Sequence, residues 1–315
     1  MDLYITNTTD AQMLAQLRNL NATMNDAQRQ VASGKRVQVP SDSPADVQTI
    51  VQNLTDLSRV QQSRANLSKL NSEVGMASAV LESAANLMDS ARSIGAQGAS
   101  STTGASTLTL LAAQVQDIEM QMAGISASVN AGRYLFSGDA DTTAPYSIDF
   151  SIVPPSVPAT SPPTAPFAST TVPIPQATRM GLDSMGNTFP IAMTAKDIFD
   201  NTAAGQSVLQ SLEDLRLGLL AGNLGEINTA NADLATSATH LGSVQTFYGT
   251  AESTISSALD LASKSELTLQ TQQSDLTSAD MARAITVEQT AQTQQQALLS
   301  MRAKMPRGSL FDLLG

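Results

Sequence analysis

Residues 227–276 read INTANADLATSATHLGSVQTFYGTAESTISSALDLASKSELTLQTQQSDL. An apolar or small side chain occupies every seventh position of this segment: Ile227, Leu234, Leu241, Tyr248, Ile255, Ala262, Leu269 and Leu276. A heptad repeat of this length predicts one helix of roughly 50 residues, about 75 Å long. Most side chains three or four positions further on are alanines, so the apolar stripe is narrow and needs a second helix to cover it.

The composition favours thin seams between helices over a deep core. The chain has 315 residues, of which 42% are hydrophobic and 3% aromatic, with no Trp and no Cys. Its net charge of -11 disfavours a nucleic-acid surface, which requires a basic face. The first ten residues lack a basic and apolar leader, and no stretch reaches about 18 consecutive apolar residues. We therefore expect no cleaved signal and no membrane insertion.

The N-terminal segment predicts a first helix of about 25 residues that ends at Gly34. Its apolar positions step by three and four: Met13, Leu17, Leu20, Met24, Ala27 and Val31. An ordered connection follows, in which Ser41 or Asp42 caps a second helix and Pro44 lies in that helix's first turn.

The second helix shows an apolar pattern that is interrupted at Gln61 and Arg64, which predicts one phase shift. The small-residue run 95–104 then breaks it, and its glycines are expected at the tip of a turn. A further seam from Leu108 to Val129 predicts a third helix, antiparallel to the second.

Residues 139–195 differ from the rest of the chain, because ten of the thirteen prolines lie between Pro145 and Pro190. Proline excludes helix there and confines any sheet to short or edge strands. Residues 146–152 alternate apolar and polar side chains, as a strand does. We predict a small β-rich or partly irregular insertion.

Helix returns after the insertion and continues through the heptad segment to a last helix from about Ser278. The middle of that helix, 288–296, is polar, and an apolar tip follows Pro306. Because the two terminal helices have few partners within the chain, their apolar side chains are predicted to form an assembly interface with neighbouring copies. The predicted interface residues are Met13, Leu17, Leu20, Met24, Val31, Ile285, Leu298, Leu299, Leu310, Phe311, Leu313 and Leu314.

The predicted fold class is mainly α: a long antiparallel helical rod built by the N- and C-terminal segments together, with a small Pro-rich β-type inserted domain and paired terminal helices. Three domains are expected. Residues 1–40 with 280–315 form a terminal helical core, 41–138 with 196–279 form the rod, and 139–195 form an outer domain.

Two pairs of motifs carry a resemblance to the bacterial flagellin superfamily. Ala32-Ser-Gly-Lys-Arg-Val37 with Pro40-Ser-Asp-Ser-Pro-Ala45 resembles the N-terminal signature of that family, and Asp280-Met-Ala-Arg-Ala-Ile-Thr-Val-Glu-Gln289 resembles its C-terminal counterpart. Gly132-Arg-Tyr-Leu-Phe-Ser-Gly138 and Ser309-Leu-Phe-Asp-Leu-Leu314 are similar to the hook-associated protein 3 branch, the hook–filament junction proteins. The proline-rich run 154–175 has no match to the family.

The resemblance implies a structural subunit, exported unfolded by the flagellar type III apparatus with a chaperone and located outside the cell in the flagellum. Its implied partners are a ring of copies of itself, the adjoining hook-associated protein and flagellin. No cofactor and no nucleic acid are expected.

Other functions are weaker readings of the sequence. The chain has one histidine, His240, and no cysteine, so neither a typical transition-metal site nor a catalytic triad is expected, and the protein is predicted not to be an enzyme. Flagellin itself is the nearest alternative. A cytoplasmic coiled-coil adaptor or signalling rod would share the heptads but would not need the residues Gly132 to Gly138.

Overall fold

A computed structural model describes residues 3–100, 102–138, 140–148, 167–169, 179–201 and 206–304. The helices are α1 Leu3–Ser33, α2 Val47–Gly98, α3 Ala105–Ser126, α4 Ala195–Phe199, α5 Val208–Ala221, α6 Leu224–Thr277 and α7 Met281–Lys304. The strands are β1 Val129–Asn130, β2 Arg133–Tyr134, β3 Tyr146–Ile148, β4 Phe167–Ser169, β5 Met180–Leu182, β6 Thr188–Pro190, β7 Asp200–Asn201 and β8 Gln206–Ser207. The mainly α class with a small β insertion is confirmed.

The chain forms two compact units. The first unit is Met1–Arg59 with Ser265–Gly315, and the second is Val60–Lys264. N- and C-terminal segments therefore meet in each unit. The predicted three-domain division stays a prediction.

The heptad segment forms the single helix α6 of 54 residues, as predicted. The heptad positions of α6 in the second unit are buried, from Ile227 through Tyr248 to Ala262. Several of the small residues between them are buried as well. Burial of these residues matches the sequence pattern because a heptad keeps one narrow face towards a partner helix.

In the second unit α6 packs antiparallel to α2. Gln245 donates from Nε2 to the carbonyl oxygen of Leu81 at 3.3 Å, and Asn231 lies against Gly95. Buried positions recur every seventh residue along α2 as well: Asn53, Val60, Leu67, Val74, Leu81 and Met88. The predicted phase shift at Gln61 and Arg64 is wrong, because the repeat starts at the buried polar Asn53 while the apolar Leu54 next to it is exposed.

Two predicted element ends differ in the structure. Pro44 precedes α2, which begins at Val47, because the carboxylate of Asp42 accepts hydrogen bonds from the backbone N–H groups of Gln38 and Val39 and so stabilises a separate 3-10 turn. Val129 lies in β1 rather than in a helix, since α3 ends at Ser126.

The glycines of the run 95–104 do not all lie at a turn. Gly95 is inside α2, where it lets Asn231 of α6 approach closely, and Gly98 ends the helix against Leu219 of α5. Gly104 precedes the first residue of α3. The turn itself is therefore shorter than predicted, and α3 packs along α5.

All described strands pair in antiparallel two-stranded sheets: β1 with β2, β3 with β4, β5 with β6, and β7 with β8. The predicted strand 146–152 is present as β3 over its first three residues, and its remainder lies outside the described residues. Tyr146 and Ile191 are buried against the helices, so this insertion contributes to the core of the second unit.

We predict that Leu241→Ala lowers the free energy of unfolding by about 2–5 kcal/mol, because Leu241 is fully buried in the seam and its truncation leaves a cavity. Leu110→Ala is the matched control: Leu110 of α3 is 65% exposed, and its loss should change stability by less than about 0.5 kcal/mol. Urea unfolding followed by far-UV circular dichroism measures both. Equal effects would show that α6 does not depend on this face.

Candidate assembly interface

The terminal helices α1 and α7 pack against each other in the first unit. Met13 and Ala27 of α1 are buried there, as are Ala284 and Ala291 of α7. Leu298 continues the spacing of seven from Ala291 and is half-buried. The seam of α7 therefore continues through the polar middle at Ala291, with the half-buried Glu288 and Gln295 beside it, and the spacing of seven between the alanines is the sequence signal for it.

Two polar contacts between α1 and α7 match an antiparallel arrangement of this pair. Gln28 donates from Nε2 to Oε1 of Glu288 at 3.1 Å, and Gln295 donates from Nε2 to Oδ1 of Asn21 at 2.9 Å. Both hydrogen bonds are exposed to solvent, where water can replace either partner, so the register of the pair depends mainly on the buried residues of the seam.

The predicted interface residues that the structure describes divide into two groups. Met13 is buried between α1 and α7, and half-buried side chains lie in the same seam: Leu17, Leu20, Met24, Val31 and Leu298. Ile285 and Leu299 face away from the seam and are 41% and 51% exposed. Leu310, Phe311, Leu313 and Leu314 lie outside the described residues.

Further apolar side chains on these two helices are exposed and were not among the predicted interface residues. Leu14 of α1 and Met281, Val287 and Met301 of α7 are all exposed. Leu14 lies next to the buried Met13, whereas Met281 and Met301 stand three residues from the seam residues Ala284 and Leu298 and are nevertheless exposed. With Ile285 and Leu299 these four residues are the exposed large apolar side chains of α1 and α7 among the described residues, and we call this set of six, which is spread along both flanks of the seam, the outer apolar surface of the terminal pair.

The N-terminal signature residues connect α1 to the end of α6 within the first unit. Arg36 donates from Nη2 to the carbonyl oxygen of Leu276 at 2.8 Å, and its backbone N–H donates to Thr277 at 2.7 Å. A cation at a helix C-terminus also compensates the helix dipole. The N–H of Ala279 donates to the carbonyl oxygen of Gly34 at 3.0 Å. The connection that follows α1 and the connection between α6 and α7 are therefore hydrogen-bonded to each other.

Two carboxylates order the rest of this signature. Asp42 has a lowered pKa because it accepts hydrogen bonds from the backbone N–H groups of Val39 and Gln38. Asp46 has a lowered pKa because the Ser43 hydroxyl donates to it and because it pairs with Arg36. Both carboxylates of the signature therefore stabilise the connection between α1 and α2.

The segment Gly132 to Gly138 leads the chain out of α3 through a tight hairpin. Ala131 and Gly132 connect β1 to β2 with φ values of 50° and 80°, the left-handed conformation that a two-residue hairpin turn with the strand twist requires. Gly138 also has a positive φ, of 53°. Two glycines of the motif are thus explained by backbone conformation.

The rest of this motif is buried or paired. Phe136 is fully buried and makes edge-to-face contacts with Phe199 and Tyr248, at centroid distances of 6.0 and 6.4 Å. Leu135 and Ser137 are buried, and the Ser137 hydroxyl donates to the carbonyl oxygen of Thr143 at 2.8 Å. In the same motif, Arg133 forms an ion pair with Asp141, and the backbone N–H of Tyr134 donates to the Asp141 carbonyl oxygen.

Arg179 attaches the inserted segment to α2 in the second unit. Its guanidinium forms an ion pair with Glu73 of α2 and donates to the carbonyl oxygen of Tyr134 at 3.2 Å. It also lies 3.5 Å from Asp141. Because Arg179 is mostly buried, this arrangement fixes where the insertion leaves the helices.

The described residues offer no cluster of three His, Asp or Glu side chains that could hold a metal ion. His240 contacts the carbonyl oxygen of Asp197 through Nε2 at 2.8 Å, which is a structural contact between α6 and α4. Within the same residues, no helix combines the length and the apolar character that crossing a bilayer requires.

Comparison with known proteins finds similarity in the three-dimensional structure of the chain. No family model matches it, and no curated protein sequence matches it. A solved structure described as a candidate flagellar hook-associated protein of Vibrio parahaemolyticus is similar, with a TM-score of 0.64 at 16% identity over 75% of this chain and 100% of that chain.

Two further solved structures have a similar fold. The flagellar hook-associated protein-3 of Legionella pneumophila has a TM-score of 0.56 at 14% identity, over 72% of this chain and 98% of its own. FlgL of Bacillus cereus has a TM-score of 0.53 at 14% identity, over 72% and 99%. The chain thus has the fold of hook-associated protein 3, and the resemblance drawn from the sequence motifs is confirmed at the level of fold.

We predict that Gly34→Ala destabilises the protein by about 1–2 kcal/mol, because Gly34 has a φ of 69° that a side chain with a Cβ disfavours. No atom lies within 4 Å of the position that a Cβ would take, so the cost is conformational. Gly34→Asn is the control, since Asn tolerates this conformation better than Ala. Urea unfolding should rank Gly34 above Asn and Asn above Ala. Equal stability of the Ala and Asn variants would contradict the assignment.

Proposed function

We propose that this chain is a structural, non-enzymatic subunit of the bacterial flagellum that joins the hook to the flagellin filament. The observation that carries the proposal is the fold, which matches the whole of a solved hook-associated chain and most of this one. The similarity of the sequence Gly132 to Gly138 to the hook-associated protein 3 branch supports the same proposal, and the positive φ of its glycines and the buried Phe136 explain why the fold needs these residues.

The outer apolar surface of the terminal pair supports a role in assembly. The six residues of this set, including Ile285 and Leu299, leave apolar area in water. They belong to helices whose own seam is narrow and rich in alanine. We propose that copies of the chain in a ring, and the adjoining hook-associated protein and flagellin, cover this surface. The seam residues from Met13 to Val31 then act indirectly, by holding α1 against α7.

We extend the proposal to the division into domains, the export route and the apolar tip. The terminal core would be residues 1–40 with 280–315, the helical shaft 41–138 with 196–279, and the outer domain 139–195. Export would use the flagellar type III apparatus and a chaperone, which leaves the protein outside the cell. The apolar tip from Leu310 to Leu314 would belong to the assembly interface.

Deleting the gene for this chain tests the proposal. We expect hooks without filaments by electron microscopy and flagellin released into the medium, with both defects reversed by the intact chain. Normal filaments on the deletion strain would contradict the junction role. Elongation of the purified chain alone into filaments would instead identify it as flagellin.

We predict that Ile285→Ser with Leu299→Ser abolishes swimming while the thermal unfolding of the purified chain stays within about 0.5 kcal/mol of the parent, because both residues are exposed in the subunit. Each side chain is about half exposed in the subunit, so covering it against a neighbour is worth roughly half of the 1.5–3 kcal/mol of full burial, and the assembly would lose this contribution at two positions per subunit. Leu110→Ser, at an exposed position of α3, is the control, and cells that carry it should swim. Swimming of the double variant would exclude this surface from assembly.

A further inference from the structure

A cluster of three charged side chains lies buried between α3 and α5 in the second unit. Glu119 of α3 is 0% exposed, Glu213 of α5 is 1% exposed, and Arg216 of α5 is 15% exposed. Charged groups are rarely buried to this extent unless each is paired, because removing them from water is costly. The cluster has no part in the proposed junction function.

The single guanidinium is already committed to one of the two carboxylates. Arg216 donates from Nε and from Nη2 to the two carboxylate oxygens of Glu213, both at 2.7 Å. This bidentate geometry is the strongest pairing that arginine makes with a carboxylate. Glu213 is therefore satisfied as an anion.

Glu119 is left with no equivalent partner. The nearest contact to the cation joins its Oε2 to Nε of Arg216 at 3.5 Å, and neither oxygen accepts a hydrogen bond from any described group. Two ionised carboxylates against one guanidinium would leave one net negative charge inside the protein. A proton on Glu119 removes that charge and turns an acceptor without a donor into a donor beside the Glu213 carboxylate.

We propose that Glu119 and Glu213 form a proton-binding site that holds one proton in the folded subunit, and that this proton stabilises the packing of α3 on α5.

The electrostatics agree with the geometry. The pKa of Glu119 is raised to about 9, first by burial and then by the neighbouring negative charge of Glu213, against the opposing effect of Arg216. Among the described groups, the charges that act on Glu119 are those of Glu213 and Arg216. Asp214 of α5 has a pKa raised by its own burial, and the nearby carboxylates of Asp233 and Glu213 raise it too.

The sign of the pH dependence follows from this shift. The ordinary pKa of a glutamate, 4.5, applies to the unfolded chain, and the folded value lies near 9. The folded state then binds one proton more than the unfolded state between these values. The stabilisation is complete below the lower pKa, declines as the pH rises through the window, and is lost above the upper one.

The test is urea unfolding of the full chain at a series of pH values from 5.5 to 8.5. One bound proton per molecule predicts that the folding equilibrium constant falls about tenfold per pH unit across this range. Glu119→Gln keeps the shape and a hydrogen-bond donor without the titration, so its stability should vary far less with pH. Glu82→Gln, on the exposed face of α2, is the matched control and should retain the steep dependence of the parent.

The outcomes separate clearly. A flat profile for the parent chain, or equal slopes for the parent and Glu119→Gln, would overturn the proposal. Infrared spectroscopy of the folded parent at neutral pH adds a readout that needs no variant to be stable. A carbonyl stretching band of a protonated carboxyl group is expected, and its absence would show that both glutamates are ionised.

Discussion

The structure depends on the antiparallel seam between two very long helices, α2 and α6. A helix of 54 residues is about 80 Å long, and most of its stability must come from burying one face rather than from helix propensity. That face consists largely of small residues such as Ala251 and Ala258, with larger ones at every seventh position. The seam is thin, so every interruption must be compensated locally. Gly95 against Asn231 and Gln245 against Leu81 are two such adjustments.

This constraint explains where the aromatic residues lie. With few aromatic side chains in the chain, the edge-to-face group of Phe136, Phe199 and Tyr248 forms where the hairpin after α3, the short helix α4 and the middle of α6 meet. The backbone N–H of Met193 donates to the Tyr248 hydroxyl at 3.2 Å, and burial raises the pKa of that phenol to about 12. The second unit thus contains the large core cluster, whereas the described part of the terminal pair buries a narrow seam that includes Met13, Ala27, Ala284 and Ala291. An outer apolar surface on that pair is consistent with helices completed by other chains.

Periodicity made most of the helical fold predictable from sequence, and it failed where polar or small residues occupied seam positions. Ile227 to Leu276 predicted α6 because its apolar residues are large enough to show the repeat. The seven-residue repeat of α2 was assigned wrongly near its start, because the polar Asn53 occupies a buried repeat position and the apolar Leu54 next to it is exposed. Ala284 and Ala291 were overlooked in the glutamine-rich α7 for the same reason. The contact of Arg36 with the end of α6 joins residues 240 positions apart, which no local pattern reveals. Glu119 could have been found, since it stands four residues after Val115 and three before Met122 on the buried face of α3.

The position of the protein on the cell decides the central claim most directly. Immunogold labelling with an antibody against the exposed β-hairpin of residues 180–190, combined with electron microscopy of intact flagella, locates the chain without altering it. The account predicts label confined to the short zone between hook and filament. Label along the whole filament would identify a filament subunit instead, and label found solely inside the cell would contradict a flagellar role.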